Sequence, residues 1–273
     1  MSALLDNPII QSSAIPFISA LILVAILNTV AGRWRGVAAW AGFYLAAVLI
    51  AGVQLLPLTS TRKILILAVV ASLMTLFFAW SEIHGRLRNL LLAVLVVAAA
   101  CWVEWPLLMR YQGMQWWGLA GGSLIYLGWT TVVHDGLRRR AAEQLLALMV
   151  FASATAIAAT LGATALIGQL AGAVAAASGA LLLLALPGGK GRDDDMLLLP
   201  LILAVGLFGI AAVAYARLPW QSLVALMVIP LVPRIPLTIE RFWIKIIAHG
   251  VIMLPFAATA VYIAWNSAGD SYF

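Results

Sequence analysis

Residues 101–118, CWVEWPLLMRYQGMQWWG, set one glutamate, Glu104, and one arginine, Arg110, among four tryptophans. A carboxylate and a guanidinium offer polar contacts to a ligand, and indole rings offer flat faces on which a sugar can stack. Trp102, Glu104, Trp105 and Arg110 are therefore candidate substrate-binding residues. Pro106 is expected to stop the helix that carries them, because proline has no N–H and its ring clashes with the preceding turn. Glu104 would then lie close to water and pair with Arg110 across the loop, a modest interaction when exposed. The competing reading is an aromatic belt, with Trp102, Trp105, Trp116 and Trp117 at the level where a membrane meets water.

A second stretch, SLVALMVIPLVPRIPLTIERFW (222–243), carries Pro230, Pro233 and Pro236 at every third position. Such a run cannot continue an ordinary helix. The carbonyls it frees are tolerated in a membrane only inside protein or beside a water-filled cavity. Arg234, between two of these prolines, is a candidate for holding an anionic or carbonyl group of a substrate. The plainer reading is an extended entry into a loop, with Arg234 touching lipid phosphate.

The third stretch, PGGKGRDDDMLLLP (187–200), aligns Asp193, Asp194 and Asp195. Clustered carboxylates can hold magnesium against a diphosphate, as an enzyme acting on a lipid-linked substrate requires. Consecutive helical residues point about 100° apart, so these three do not converge. Glu82, Asp135, Glu143 and Glu240 are each isolated in other loops, so the aspartates make only a weak metal candidate and no metal is expected. His84, His134 and His249 precede Gly or Asp and fit interfacial helix ends better than haem ligation. No nucleotide-binding, hydrolase or metalloprotease motif occurs, so no cofactor is expected and a catalytic role is disfavoured. The single cysteine, Cys101, excludes an internal disulfide.

These groups must be positioned by apolar elements. Of the 273 residues, 64% are hydrophobic and 10% charged, against roughly 25% charged in soluble domains. With a mean hydropathy of +1.07, the chain cannot supply a polar shell around a water-soluble core. The fold class is an all-α polytopic membrane protein whose first partner is the lipid bilayer. Its net charge of +6 belongs to loops rather than to nucleic-acid binding. The N-terminal MSALLDNPIIQSSAIPF lacks a basic leader and contains Asp6, so the first apolar run is expected to be a retained helix.

Apolar runs fall at about 15–31, 37–56, 64–80, 90–105, 116–133, 145–163, 167–186, 196–216, 221–235 and 246–266, which gives ten transmembrane helices. The uncharged stretch 145–186 is about two spans long and is expected to be a hairpin turning near GATALIGQLAG. Gly168, Gly172 and Gly179 permit close helix contact there, in a tight bundle or at a docking face for another membrane protein. Arg33, Arg35, Arg86, Arg88, Arg138, Arg139, Arg140, Lys190, Arg192, Arg234, Arg241 and Lys245 then fall in odd-numbered loops. Only Arg62, Lys63, Arg110 and Arg217 fall in even ones. This bias puts the odd loops in the cytoplasm and both termini on the outer side of a bacterial inner membrane.

A shift of 130 residues superposes Gly32 on Gly162, Gly42 on Gly172, Pro57 on Pro187 and Pro106 on Pro236. That register divides the chain into halves at 1–140 and 141–273, two five-helix repeats of opposite topology within a single membrane domain. The layout is similar, in architecture only, to that of the drug/metabolite transporter superfamily. None of that family's motifs is present, and termini on the outer side is opposite to its usual orientation.

Three functions fit. A permease-like transporter of a small or lipid-like solute accords with the ten helices, the repeat and the broken ninth segment. Its helix interiors hold almost no ionisable residue, so coupling through a midplane carboxylate is disfavoured. The alternative is a non-catalytic subunit or assembly factor of a larger membrane complex, with other membrane subunits or a second copy as partner. The third is a membrane enzyme acting on a lipid-linked substrate.

Overall fold

The computed structural model describes residues 10–27, 35–52, 56–81, 85–162, 164–185 and 197–269. Those residues form helices and the turns between them, with no strand among them. The α-helices are α1 (Ile15–Leu27), α2 (Arg35–Ala51), α3 (Ser60–Ser81), α4 (Arg86–Leu108) and α5 (Met114–Asp135). They continue with α6 (Ala141–Leu161), α7 (Ala165–Ala185), α8 (Leu199–Ala216), α9 (Trp220–Val228) and α10 (Phe242–Gly269). A π-turn (Ile10–Ala14) precedes α1, and a 3-10 segment (Ile229–Arg234) extends α9. Each element sits on one of the apolar runs, because in lipid only a helix satisfies its own backbone.

Among the described residues six helices, α3, α4, α6, α7, α8 and α10, are long and apolar enough to cross a membrane. The chain is therefore a polytopic α-helical membrane protein. The α1 and α2 helices and the α9 segment are shorter apolar elements. At 22 residues, α5 has the length of a span, but Ser, Thr, Gln and five glycines or alanines dilute its apolar content.

The breaks follow local chemistry. Gly85 and Gly113 adopt φ of 74° and 61° just before α4 and α5, a left-handed turn that side-chain-bearing residues resist. At the far end of α8, Arg217 takes the left-handed φ of 57° and the Leu218 N–H reaches the Ala212 carbonyl at 3.1 Å, which closes the helix. The long uncharged stretch turns as expected. It breaks after Leu161, and the Thr164 N–H bonds Ala159 O at 3.1 Å to start the return.

α8 forms the centre. Every residue from Leu199 to Ala212 is buried, against neighbours that include α3, α5 and α6. No charged side chain interrupts this stretch, so it can be packed from all sides. α6 and α7 form the closest antiparallel pair, and α10 lies along α6.

Small residues set that closeness. A Cβ on Gly168 would stand 2.8 Å from the Ala156 carbonyl and collide with the Thr160 hydroxyl. The glycines of α7 therefore serve the bundle's own packing. Gly168→Val is expected to lower stability by about 1–3 kcal/mol through overpacking. Gly122→Val, where a Cβ meets nothing within 4 Å, is expected to change it little. Thermal unfolding in detergent checks this, and equal losses in the two variants would mean that α6 and α7 are not closely packed.

Candidate functional site

The opening cluster is built differently from expectation. α4 does not stop at Pro106 but runs through it to Leu108. Proline removes the donor that would reach the carbonyl four residues back, at Trp102. Lys63, near the start of α3, supplies the replacement. Its Nζ donates to Trp102 O at 2.9 Å and lies 6.0 Å from the Trp102 ring centroid. Lys63 is only 9% exposed, so this ammonium belongs to the interior. The next carbonyl, Val103 O, accepts the Tyr215 hydroxyl of α8 at 2.7 Å. α4 is thus held at its proline turn by two donors from two other helices.

Continuation of the helix carries Glu104 inward rather than to water. It is 1% exposed, and its Oε1 accepts the Ser123 hydroxyl of α5 at 2.5 Å. No ion pair joins it to Arg110 among the described residues. Arg110 lies beyond the helix end in an exposed turn, where its N–H bonds Leu107 O at 2.9 Å. The two candidates are therefore not brought together. Trp105 and Trp117 are exposed, Trp102 is more than a third exposed, and Trp116 packs edge-on against Trp117 at 4.7 Å. These outward rings have the exposure of a belt rather than the convergence of a stacking pocket.

Beyond α8 and the ends of α6 and α10, Tyr215, Arg217, Thr164 and Ser267 line a pocket of about 340 Å³.

The proline segment is also served from within. Trp129 Nε1 donates to Met227 O at 3.1 Å, Arg140 Nη1 to Pro233 O at 3.2 Å, and the Ile235 N–H to Val232 O at 3.0 Å. His249 Nε2 sits 3.4 Å from Ile235 O. Carbonyls of this segment thus find donors on α5, on the α5–α6 turn and within the segment itself, with His249 of α10 beside Ile235 O. Arg234 does hold a carbonyl, but the chain's own: its Nη2 donates to Val133 O at 3.1 Å, with the guanidinium packed onto Gly136.

His134 lies in the last turn of α5, as expected, but His249 lies two turns inside α10 rather than at its end, and both are fully buried, 0% exposed. His84 lies outside the described residues, as do Asp193, Asp194 and Asp195. Among the described residues no group of three His, Cys, Asp or Glu side chains is placed to hold a metal ion.

The feature that no single motif announces is the buried face of α5. Seven of its residues are buried, and five of those are polar: Ser123, Tyr126, Thr130, Thr131 and His134. Polar residues buried between helices in lipid ordinarily bond across the interface. Here a polar line starts at Glu104, through Ser123, and runs along the second half of α5 to His134. Thr130 back-bonds to Tyr126 O at 2.9 Å, and Tyr126 and His134 flank Phe151 of α6, with ring centroids 6.3 and 5.8 Å away. At the other end Gln144 Nε2 donates to His134 O at 2.9 Å. The Tyr126 hydroxyl, the Thr131 hydroxyl, both His134 ring nitrogens and Gln144 Oε1 make no hydrogen bond to protein. From Ser123 to His134 the line covers about 17 Å at 1.5 Å per residue, over half the hydrocarbon thickness.

Beside it stands an ion cluster: Glu143, in the first turn of α6, binds Lys245 of α10 at 2.8 Å and Arg140 at 3.5 Å. Lys63, Ser123, Tyr215 and the polar face of α5 are not legible as a site in the sequence. Their one signal there is the spacing Ser123, Thr130, His134, which repeats on one helical face.

No protein-family model matches the chain, and no curated protein matches it in sequence.

Proposed function

We propose that the protein is a permease-like transporter of a small or lipid-like solute whose path follows the polar face of α5. One observation carries this reading: α5, of span length but not among the six helices apolar enough to cross a membrane, turns hydroxyl and imidazole groups inward, where hydrogen-bonding capacity is left unused. Buried polar groups are ordinarily paired, so a concentration of unpaired ones at one helix interface is a place for polar cargo to pass. In this reading the halves 1–140 and 141–273 are inverted repeats. Packing of α2 on α7 and of α3 on α8 supports it, since a two-fold axis would relate each pair to itself. α10 on α6 lacks a counterpart in α5 on α1 among the stronger contacts. The loop charge bias sets the orientation, with odd loops cytoplasmic.

The test works whichever solute is carried. With Cys101 replaced by serine, single cysteines at Ser123, Thr130 and His134 are exposed to a small, membrane-impermeant thiosulfonate on either side of oriented vesicles. Labelling of Thr130→Cys, with Ser123→Cys reached from outside and His134→Cys from the cytoplasmic side, is the expected result. Silence at all three sites, with full labelling after unfolding, would mean a sealed core. The chain would then be better read as a non-catalytic subunit of a larger complex.

A further inference from the structure

At the end of the molecule where α4 begins and α5 turns into α6, a second pocket of about 360 Å³ is lined by Arg88, Asn89, Asp135, Gly136, Arg138 and Arg139. Arg88 is committed there: its Nη1 donates to Asp135 Oδ2 at 2.8 Å, and its Nη2 pairs with Oδ1. The bidentate pair fixes one wall. Arg138 and Arg139 have no ion-pair partner among the described residues, and the described lining carries three arginines to one carboxylate, an electropositive balance. Their backbone is rigidly set. Leu137 is buried, and the turn is tied by Leu137 N–H to His134 O at 2.9 Å and Arg138 N–H to Asp135 O at 3.1 Å.

Immediately beside the pocket the surface becomes apolar. Leu87 and Leu90 on α4 and Val132 on α5 are exposed, at 51%, 60% and 68%. A free anion has no use for that flank, whereas a lipid would lay acyl chains along it. We infer that this pocket binds the phosphodiester headgroup of an anionic glycerophospholipid, with Arg138 and Arg139 on the phosphate and Asn89 beside them. Arginine suits this role because its planar donors match phosphate oxygens. Basic pockets between helices on the cytoplasmic side are a general means of holding such headgroups. Lipid binding here is independent of the transport reading.

The experiment is native mass spectrometry of the purified full chain in detergent, titrated with dioleoyl-phosphatidylglycerol, dioleoyl-phosphatidylcholine or inorganic phosphate. One retained phosphatidylglycerol, in preference to phosphatidylcholine and not displaced by millimolar phosphate, is expected. The double variant R138Q/R139Q should weaken it by about thirtyfold, the size expected for two cations at about 1 kcal/mol each. R110Q/R217Q, which removes the same charge from the opposite end, should leave it intact. Thermal unfolding of each variant without lipid establishes that it is folded. Equal retention of the two lipids overturns the proposal, as does equal loss in the two double variants. Displacement by inorganic phosphate overturns the lipid assignment and makes the site one for a free anion.

Discussion

Lys63→Met should destabilise the protein by about 2–3 kcal/mol, the range for losing a charged donor to a buried acceptor. Methionine keeps most of the packing of the lysine stem, so the loss reports the ammonium. The reason lies 43 positions along the chain, at Pro106. Because that residue has no N–H, Trp102 O has no donor within its own helix, and Lys63 Nζ is the group that reaches it. A second, sharper result is expected from the same pairing. Pro106→Ala restores the helical N–H, so Lys63→Met made in that background should cost markedly less than in the native chain. Unfolding of the four proteins in mixed micelles, read as a double-mutant cycle, measures the coupling. Strict additivity would mean that Lys63 is held there for some other reason, such as its contact with the Trp102 ring.

This pair also separates what is legible in the sequence from what is not. Helix positions are legible because lipid forces the backbone into helices and the apolar runs measure them directly. The 145–186 hairpin follows from length and from the loop charges. Pro106, by contrast, reads as a stop as long as proline is weighed by its own helix alone. A donor from α3 removes most of the penalty, and α4 then continues and takes Glu104 into the interior. Arg110 cannot follow, since it lies beyond the helix end.

The same limitation hides the polar face of α5. Ser, Thr and Tyr are tolerated both at a lipid-facing surface and in a core. Only the rotation of α5 against α6 and α8 decides which, and that rotation is set by tertiary packing. At Gly206 a Cβ would stand 2.6 Å from Leu127 Cδ1, and at Gly209 one would stand 2.7 Å from the Tyr126 hydroxyl. Those two glycines let α5 approach α8 with its hydroxyl face inward. His134 is likewise legible as a helix-end residue, whereas His249 falls two turns inside α10, and each meets a partner 10 or more residues away: Gln144 for His134, and Ile235 for His249.

The Glu143 cluster should respond asymmetrically to removal of its partners. Glu143 is 8% exposed at its side chain, whereas Lys245 is 29% exposed and carries a long flexible stem. Lys245→Met therefore strands a carboxylate in the interior, with only Arg140 at 3.5 Å and the N-terminus of α6 to stabilise it. The expected loss is about 2–3 kcal/mol, below the roughly 3–5 kcal/mol of a fully buried pair because Arg140 remains. Glu143→Gln strands an ammonium that can extend toward water, so its cost should be smaller, about 1 kcal/mol. Arg140→Gln falls in between: its ion pair is long and 55% exposed, but its hydrogen bond to Pro233 O also holds the proline segment. Because Lys245 is the ionic tie between α10 and α6, its loss should also raise amide exchange along the first turns of α10 more than in α3. If Glu143→Gln proves the costlier change, Lys245 is not free to reach water, and the end of α10 lies deeper in the membrane than the loop charges place it.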